Sequence, residues 1–274
     1  MEQFFQILVS GVTLGSIFAL VALGYNIIYN ATGIINLAQG EFVMLGGMFM
    51  VYFTKSLGWP LLLAYIAAVL VVMIIGLLME RTCINPLKKP TVLNLVMITI
   101  AVSILIRGLT MFIAGKHNRS IDYFSGYNTA IDLHGVKIPT QAFWVLGVLV
   151  VTVAALVVFF NFTIAGKAVR ACAFDRTAAS LMGIPARRMV MLSFTLSAAI
   201  GAMAGAVIVP ISTMDYLSGG GFGLKGFGAA ILGGLGNNAG AVAAGLIIGI
   251  LEAMTAGYLS SHYKDALPLI VLLS

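Results

Sequence analysis

Asn36, Gln39 and Glu41 gather around Gly40 within "YNATGIINLAQGEFVMLGG", in surroundings that otherwise carry almost no charge. Two amides and a carboxylate offer three kinds of chemistry there. They can line or gate a polar path, the carboxylate can act in the first turn of a helix where the dipole favours it, or the group can sit at a lipid interface. Asn237 and Asn238 form a second polar point in "GGGFGLKGFGAAILGGLGNNAG", either as a turn between two half-helices or as a contact for something transported. Arg107 and Glu252 are further charges inside apolar runs. A charge at depth faces protein or water; Arg107 is expected to snorkel to the nearer, outer end in a structural role.

No local pattern points to catalysis. His117, His134 and His262 form no metal-ligand spacing, and no Gly-x-Ser-x-Gly occurs. "IAGKAVR" contains Gly166 and Lys167 but lacks the upstream glycine and the following Ser or Thr of a phosphate-binding loop. The reading is a non-enzyme, with no metal or cofactor bound directly by this chain.

These residues are placed by elements that must be membrane helices. Of 274 residues, 61% are apolar and 9% charged, against about 25% charged in soluble domains. Too little polar surface remains to cover a soluble fold. A crossing needs about 20 apolar residues. Segments near 4–28, 40–54, 60–79, 91–114, 141–160 and 189–211 qualify, 224–258 is apolar but broken at "GGLGNNAG", and a last segment begins near Ala266. The expectation is an all-α, polytopic bundle of about eight to nine transmembrane segments, some broken or re-entrant, its final helix cut short at Ser274. Backbone left unpaired in lipid costs several kcal/mol, so the two glycine-interrupted stretches must be buried or line a wet cavity.

The net charge of +6 collects in loops, which reads as topology and not as a nucleic-acid footprint. Arg81, Lys88 and Lys89 mark one cytoplasmic loop; Lys167, Arg170, Arg176, Arg187 and Arg188 mark a second. Cys83 and Cys172 fall in these loops and should be reduced thiols. Residues 117–139 suit a small hairpin on the outer face, and the N-terminus then lies outside. Gly11/Gly15, Gly201/Gly205 and Gly245/Gly249 have the four-residue spacing that lets helices approach closely, within the chain or between subunits.

The second loop holds "RACAFDRTAASLMGI", a charged island with a short helical pattern from about Val169 to Leu181. Ala178 and Ala179 support a helix, Gly183 can end it and Pro185 cannot continue it. Its small residues suit a close fit into a groove on another protein; the alternative is an ordinary basic loop.

This island, together with "ALGYNIIYNATGIINLAQGEFVMLGG" before it and "GLKGFGAAILGGLGNNAGAVAAGLIIGILE" after it, resembles the permease subunits of ATP-binding-cassette importers for branched-chain amino acids. The resemblance runs over essentially the whole chain, 1–274, as a single transmembrane permease domain. It implies that segment 169–184 couples to an ATPase, through Arg170, Ala171, Asp175, Arg176, Thr177, Ala178, Ala179, Ser180, Leu181, Gly183 and Ile184. It implies a homologous second permease subunit, two ATPase subunits carrying ATP-Mg, and an external substrate-binding protein, in a bacterial-type cytoplasmic (inner) membrane. Related permeases carry urea, short amides or sugars, which stand as alternative cargoes. A secondary transporter or channel is the rival of another class, thinly supported by Glu41, Arg107 and Glu252.

Overall fold

The computed structural model describes residues 2–87, 91–126, 130–133 and 136–259. Lys88, Lys89, His134, His262 and the apolar segment from Ala266 lie outside the described residues. Ten α-helices and one small hairpin make up the described chain. Six helices are long and apolar enough to cross a membrane: α1 (Glu2–Thr32), α3 (Leu61–Met79, continued by a π turn to Ile84), α4 (Val92–Ala114), α5 (Thr140–Phe162), α8 (Ala186–Ile208) and α10 (Asn238–Met254, continued by a π turn). The chain is a polytopic helical membrane protein.

Two shorter helices, α2 (Gln39–Val51) and α9 (Ser218–Leu232), are the glycine-interrupted segments. Every residue of α2 except Phe49 is buried. The starts of both helices meet where Gly40 crosses Gly219 and Gly223; a Cβ on Gly40 would run into the Gly219 carbonyl oxygen. The chain therefore hides irregular backbone at depth inside protein, as lipid requires.

Buried α1 is the axis of the bundle. The spacing of small residues becomes a seam here: Gly11 lies against Ile250, Gly15 against Leu246 and Gly249, and Ala19 against Gly245, so α10 runs antiparallel to α1 with backbones in contact. Lipid supplies no hydrophobic drive between helices, and such close van der Waals contact takes its place. Gly201 and Gly205 serve α8 in the same way against Phe42 and Val43 of α2. By contrast α3, α4 and α5 carry long rows of exposed leucine, isoleucine and valine.

The hairpin expected within 117–139 forms as β1 (Ala130–Leu133) and β2 (Val136–Pro139), antiparallel, with Asp132 opposite Lys137. It leads directly into α5. At the far end of α5 lies the island, roughly 34 Å away by the rise of a 23-residue helix. The island is two helices and not one. α6 (Ile164–Phe174) stops at Asp175, and α7 (Arg176–Leu181) starts there because Asp175 Oδ1 accepts from the amides of Thr177 at 2.8 Å and Ala178 at 2.9 Å. A side chain that caps a new helix competes with continuation of the old one. Gly183 ends α7 at φ 82°, as its position suggests, and Pro185 precedes α8.

Candidate functional site

The polar residues of the α2 start are carried to the middle of the membrane. Ser103 is the central residue of α4 and Ser197 that of α8. Glu41 Oε1 accepts from Ser103 Oγ at 2.9 Å, and Gln39 is paired with Ser197, donating from Nε2 to its carbonyl at 3.2 Å and accepting from its hydroxyl at 2.5 Å. Thr32 ends α1, so residues 33–38 climb back from the helix end to this depth. Asn36 shapes that climb by accepting from Ala38 N at 3.1 Å, while its Nδ2 is buried without a partner. Leu37 N donates to Thr99 Oγ1 of α4 at 3.2 Å.

Glu41 does not bond the amides of its own helix. Its Oε1 accepts from Arg107 Nε at 2.7 Å, tying α2 to α4, with Glu41 1% and Arg107 35% exposed at the side chain. Arg107 thus turns into the bundle instead of snorkelling outward: its attraction to the Glu41 carboxylate offsets a desolvation cost that a lone charge would bear uncompensated. A carboxylate in the first turn of α2 looked equally suited to a dipole role because sequence spacing cannot show α4 standing beside it. Removing either partner strands the other. Single and double alanine replacements of Glu41 and Arg107 are expected to give a coupling energy of about 0.5–3 kcal/mol in denaturant unfolding, the range for residues in direct contact.

Sequence reasoning overlooked Tyr25, Asn26, Ser103, Ser197 and Lys225. Lys225 of α9 bridges to Glu252 of α10 at 2.7 Å and lies 5.5 Å from the Phe18 ring centre. Its spacing to Glu252 is too long for any local motif, and only the packing of α9 on α10 joins them. Tyr25 Oη donates to the Gly223 carbonyl at 3.2 Å. Asn26 brackets the α9–α10 turn, donating to Asn237 O at 3.0 Å and accepting from Gly236 N at 3.1 Å.

Asn237 is the cap of α10, accepting from Gly240 N at 3.1 Å, which agrees with the turn reading. Asn238 follows it and lines a half-open cavity of about 490 Å³ with Leu23, Asn30, Leu156, Phe160 and Arg170. The two groups of sequence candidates are therefore separate: Asn36, Gln39, Gly40 and Glu41 lie together at mid-depth, and Asn237 and Asn238 lie nearer the island.

The island divides by what its residues touch. Arg170 is folded back on α5, donating to Asn161 Oδ1 at 3.2 Å and to the Phe160 carbonyl. Cys172, Ala179 and Ala186 pack on one another with Ala171 and Ile184 against them. Facing away are Thr177, Ala178 and Ser180, together with Phe174 at 96% exposure and Leu181 and Met182 at 84% each. Ser180, Gly183 and Ile184 also border a groove of about 640 Å³ shared with Thr32, Glu80 and Asn85. Arg187 donates to Asn85 O at 2.8 Å, so the loop after α3 and the island share one end of the bundle, as two loops on one side of the membrane must.

Comparison with known proteins agrees with this architecture. The family described as the permease component of branched-chain amino acid transport systems matches residues 7–274. The high-affinity branched-chain amino acid transport permease LivH of Escherichia coli K12 is 33% identical over 98% of this chain and 92% of its own length. LivH of Salmonella typhimurium is 32% identical over the same shares. BraD of Pseudomonas aeruginosa is 31% identical over 96% of this chain and 90% of its own. With one helical bundle matched nearly end to end, the chain belongs to the family of branched-chain amino acid transport permeases.

Proposed function

We propose that this chain forms half of the translocation pathway of an ATP-driven importer for branched-chain or other hydrophobic amino acids. The observation that carries the reading is the island. Phe174, Leu181 and Met182 are apolar, exposed and outside the six helices long enough to cross a membrane. Large apolar side chains grouped on a short exposed element mark a contact with a protein or a membrane surface, and the small residues between them favour a groove on a protein partner. That partner is an ATPase subunit, docked on α7 through Thr177, Ala178 and Ser180 with Leu181 as an anchor. Arg170 and Ala171 hold the island to α5, and Asp175 sets the break between its helices. A homologous second permease subunit completes the pore, a second ATPase serves it, ATP-Mg binds only on the ATPases, and an external binding protein delivers cargo in a bacterial-type cytoplasmic membrane. The hairpin lies on the external side. Glu41 and Gln39, at mid-depth beside the α2–α9 crossing, line or gate the path.

The test is reconstitution of the full complex in proteoliposomes. ATP-dependent accumulation of labelled leucine, isoleucine or valine is the expected result, suppressed when ATP is withheld. Accumulation of urea, a short amide or a sugar in their place would reassign the cargo. Uptake indifferent to ATP would remove the importer reading altogether.

A further inference from the structure

The cavity of about 490 Å³ that Asn238 lines opens between α5 and α10, at the island end of the bundle, with Leu23 of the buried axis α1 behind it. Its size is that of a ligand cleft, for which about 300–1,000 Å³ is usual. Its groups are sorted along the membrane normal. Val153, Leu156 and Val157 of α5 form one wall, with Leu23 and Val242 across from them, and all are apolar. From Val153 to Phe160 that wall runs two helical turns, about 10 Å. The polar side chains stand at the end nearest the island, where α5 stops at Asn161, α10 begins at Asn238 and α6 brings in Arg170. The cavity is also open sideways: Val157 is half-exposed and lies on the same face of α5 as exposed Val150, so the wall continues into the outer surface of the bundle.

Two groups at the polar end lack a complement. Arg170 has five N–H donors, and two of them meet neutral acceptors, Asn161 Oδ1 and the Phe160 carbonyl. Unlike Arg107 and Lys225, it faces no carboxylate among the described residues, and no Asp or Glu lines the cavity. Its charge is therefore uncompensated and calls for an anion. Independently, Asn238 Oδ1 is buried without a hydrogen-bond partner, and a buried acceptor calls for a donor.

We infer that this cavity holds an anionic phospholipid, with one acyl chain along α5, its phosphate on Arg170 and a headgroup hydroxyl donating to Asn238. Basic pockets between membrane helices at the cytoplasmic side suit such headgroups. The order of the groups speaks against a transported amino acid here. An amino acid carries its charges beside its side chain, whereas this cavity has its charge at one end of a long apolar wall. A phosphate free in solution would meet Arg170 equally well but would leave that wall empty. The site requires only a bilayer around the bundle and is independent of the cargo.

The experiment uses the assembled importer, extracted in mild detergent, stripped of lipid and titrated with phosphatidylglycerol or phosphatidylethanolamine of identical chains, with native mass spectrometry as the readout. Phosphatidylglycerol is expected to be retained about fivefold more tightly, the effect of one basic residue on an anionic headgroup. Arg170→Gln should remove that preference, and Arg170→Lys should keep it. Should Arg170→Gln loosen the island and fail to assemble, Val157→Trp fills the cavity from its half-exposed side. It should cut retention of both lipids by at least about fivefold in an assembled complex. Glycerophosphate, which carries the anion without the chains, should displace nothing. Displacement by glycerophosphate would mark a site for soluble phosphate, and displacement by millimolar leucine would place the cavity on the cargo's path. Absence of any retained lipid would show that another subunit covers the opening. Each of these overturns the inference, as does phosphatidylglycerol retention unchanged in both Arg170→Gln and Val157→Trp.

Discussion

Gly249→Leu is expected to leave no folded permease to purify. A Cβ on Gly249 would collide with the backbone of Gly15, on a seam where α1 and α10 touch main chain to main chain from Gly11 to Ala19. Overpacking a well-filled interior costs about 1–3 kcal/mol when side chains can shift aside. Here the obstacle is helix backbone on both sides, so the whole seam must open, and the contact that substitutes for a hydrophobic drive in lipid is lost with it. Gly147→Leu is the matched control. Gly147 of α5 has no atom within 4 Å of its Cβ position and should accept leucine without loss. The yield of each variant after membrane extraction, and the size-exclusion profile and melting of whatever is recovered, decide the matter. A monodisperse Gly249→Leu protein melting with the wild type would show that the seam is dispensable.

Ala178→Trp is expected to abolish at least about four-fifths of ATP-driven uptake while leaving the permease intact. Ala178 is exposed on α7, so an indole there disturbs nothing in this chain and meets only what docks on it. Its neighbour does not offer so clean a test. Ala179 is 5% exposed and packed on Cys172 and Ala186, so Ala179→Trp breaks the island itself. Overfilling a docked contact by an indole falls in the same range of about 1–3 kcal/mol, a factor of roughly 5 to 150 in coupling. Uptake and substrate-stimulated ATP hydrolysis should fall together, with the amount and melting point of Ala178→Trp permease unchanged. Full uptake at matched expression would reduce the island to a loop.

What the sequence makes legible follows the physics that is local along the chain. The span limits of α3, α4 and α5 lie within about two residues of the hydropathy reading, apart from the π turn that lengthens α3, because lipid length alone sets them. The Gly183 stop and the Asn237 turn were readable because each is a conformational or capping property of one residue. The Asp175 break was hidden, since aspartate in a charged helix reads as a surface residue until its carboxylate is seen on the next two amides. Pairings across distance were hidden altogether. Glu41 with Arg107, Gln39 with Ser197, and Lys225 with Glu252 join residues on different helices, and no spacing rule links them. Lys225 escaped notice for a further reason: it sits among glycines in a stretch that reads as a break.

The pairing of buried charges has an electrical consequence. Glu41 and Glu252 each carry a cation at 2.7 Å, so each pair sits in the membrane as a dipole and not as a net charge. The transmembrane voltage does work of about 2.3 kcal/mol per elementary charge for each 100 mV crossed. A rearrangement that moves either pair as a unit carries no charge of its own through that field, and the voltage has little hold on it. A carrier driven by ion gradients needs the opposite arrangement, with a charge left unmatched in one of its states. In this bundle the pairs are electrically silent passengers of the helices that hold them, and a shift of those helices does no work against the voltage across the bilayer.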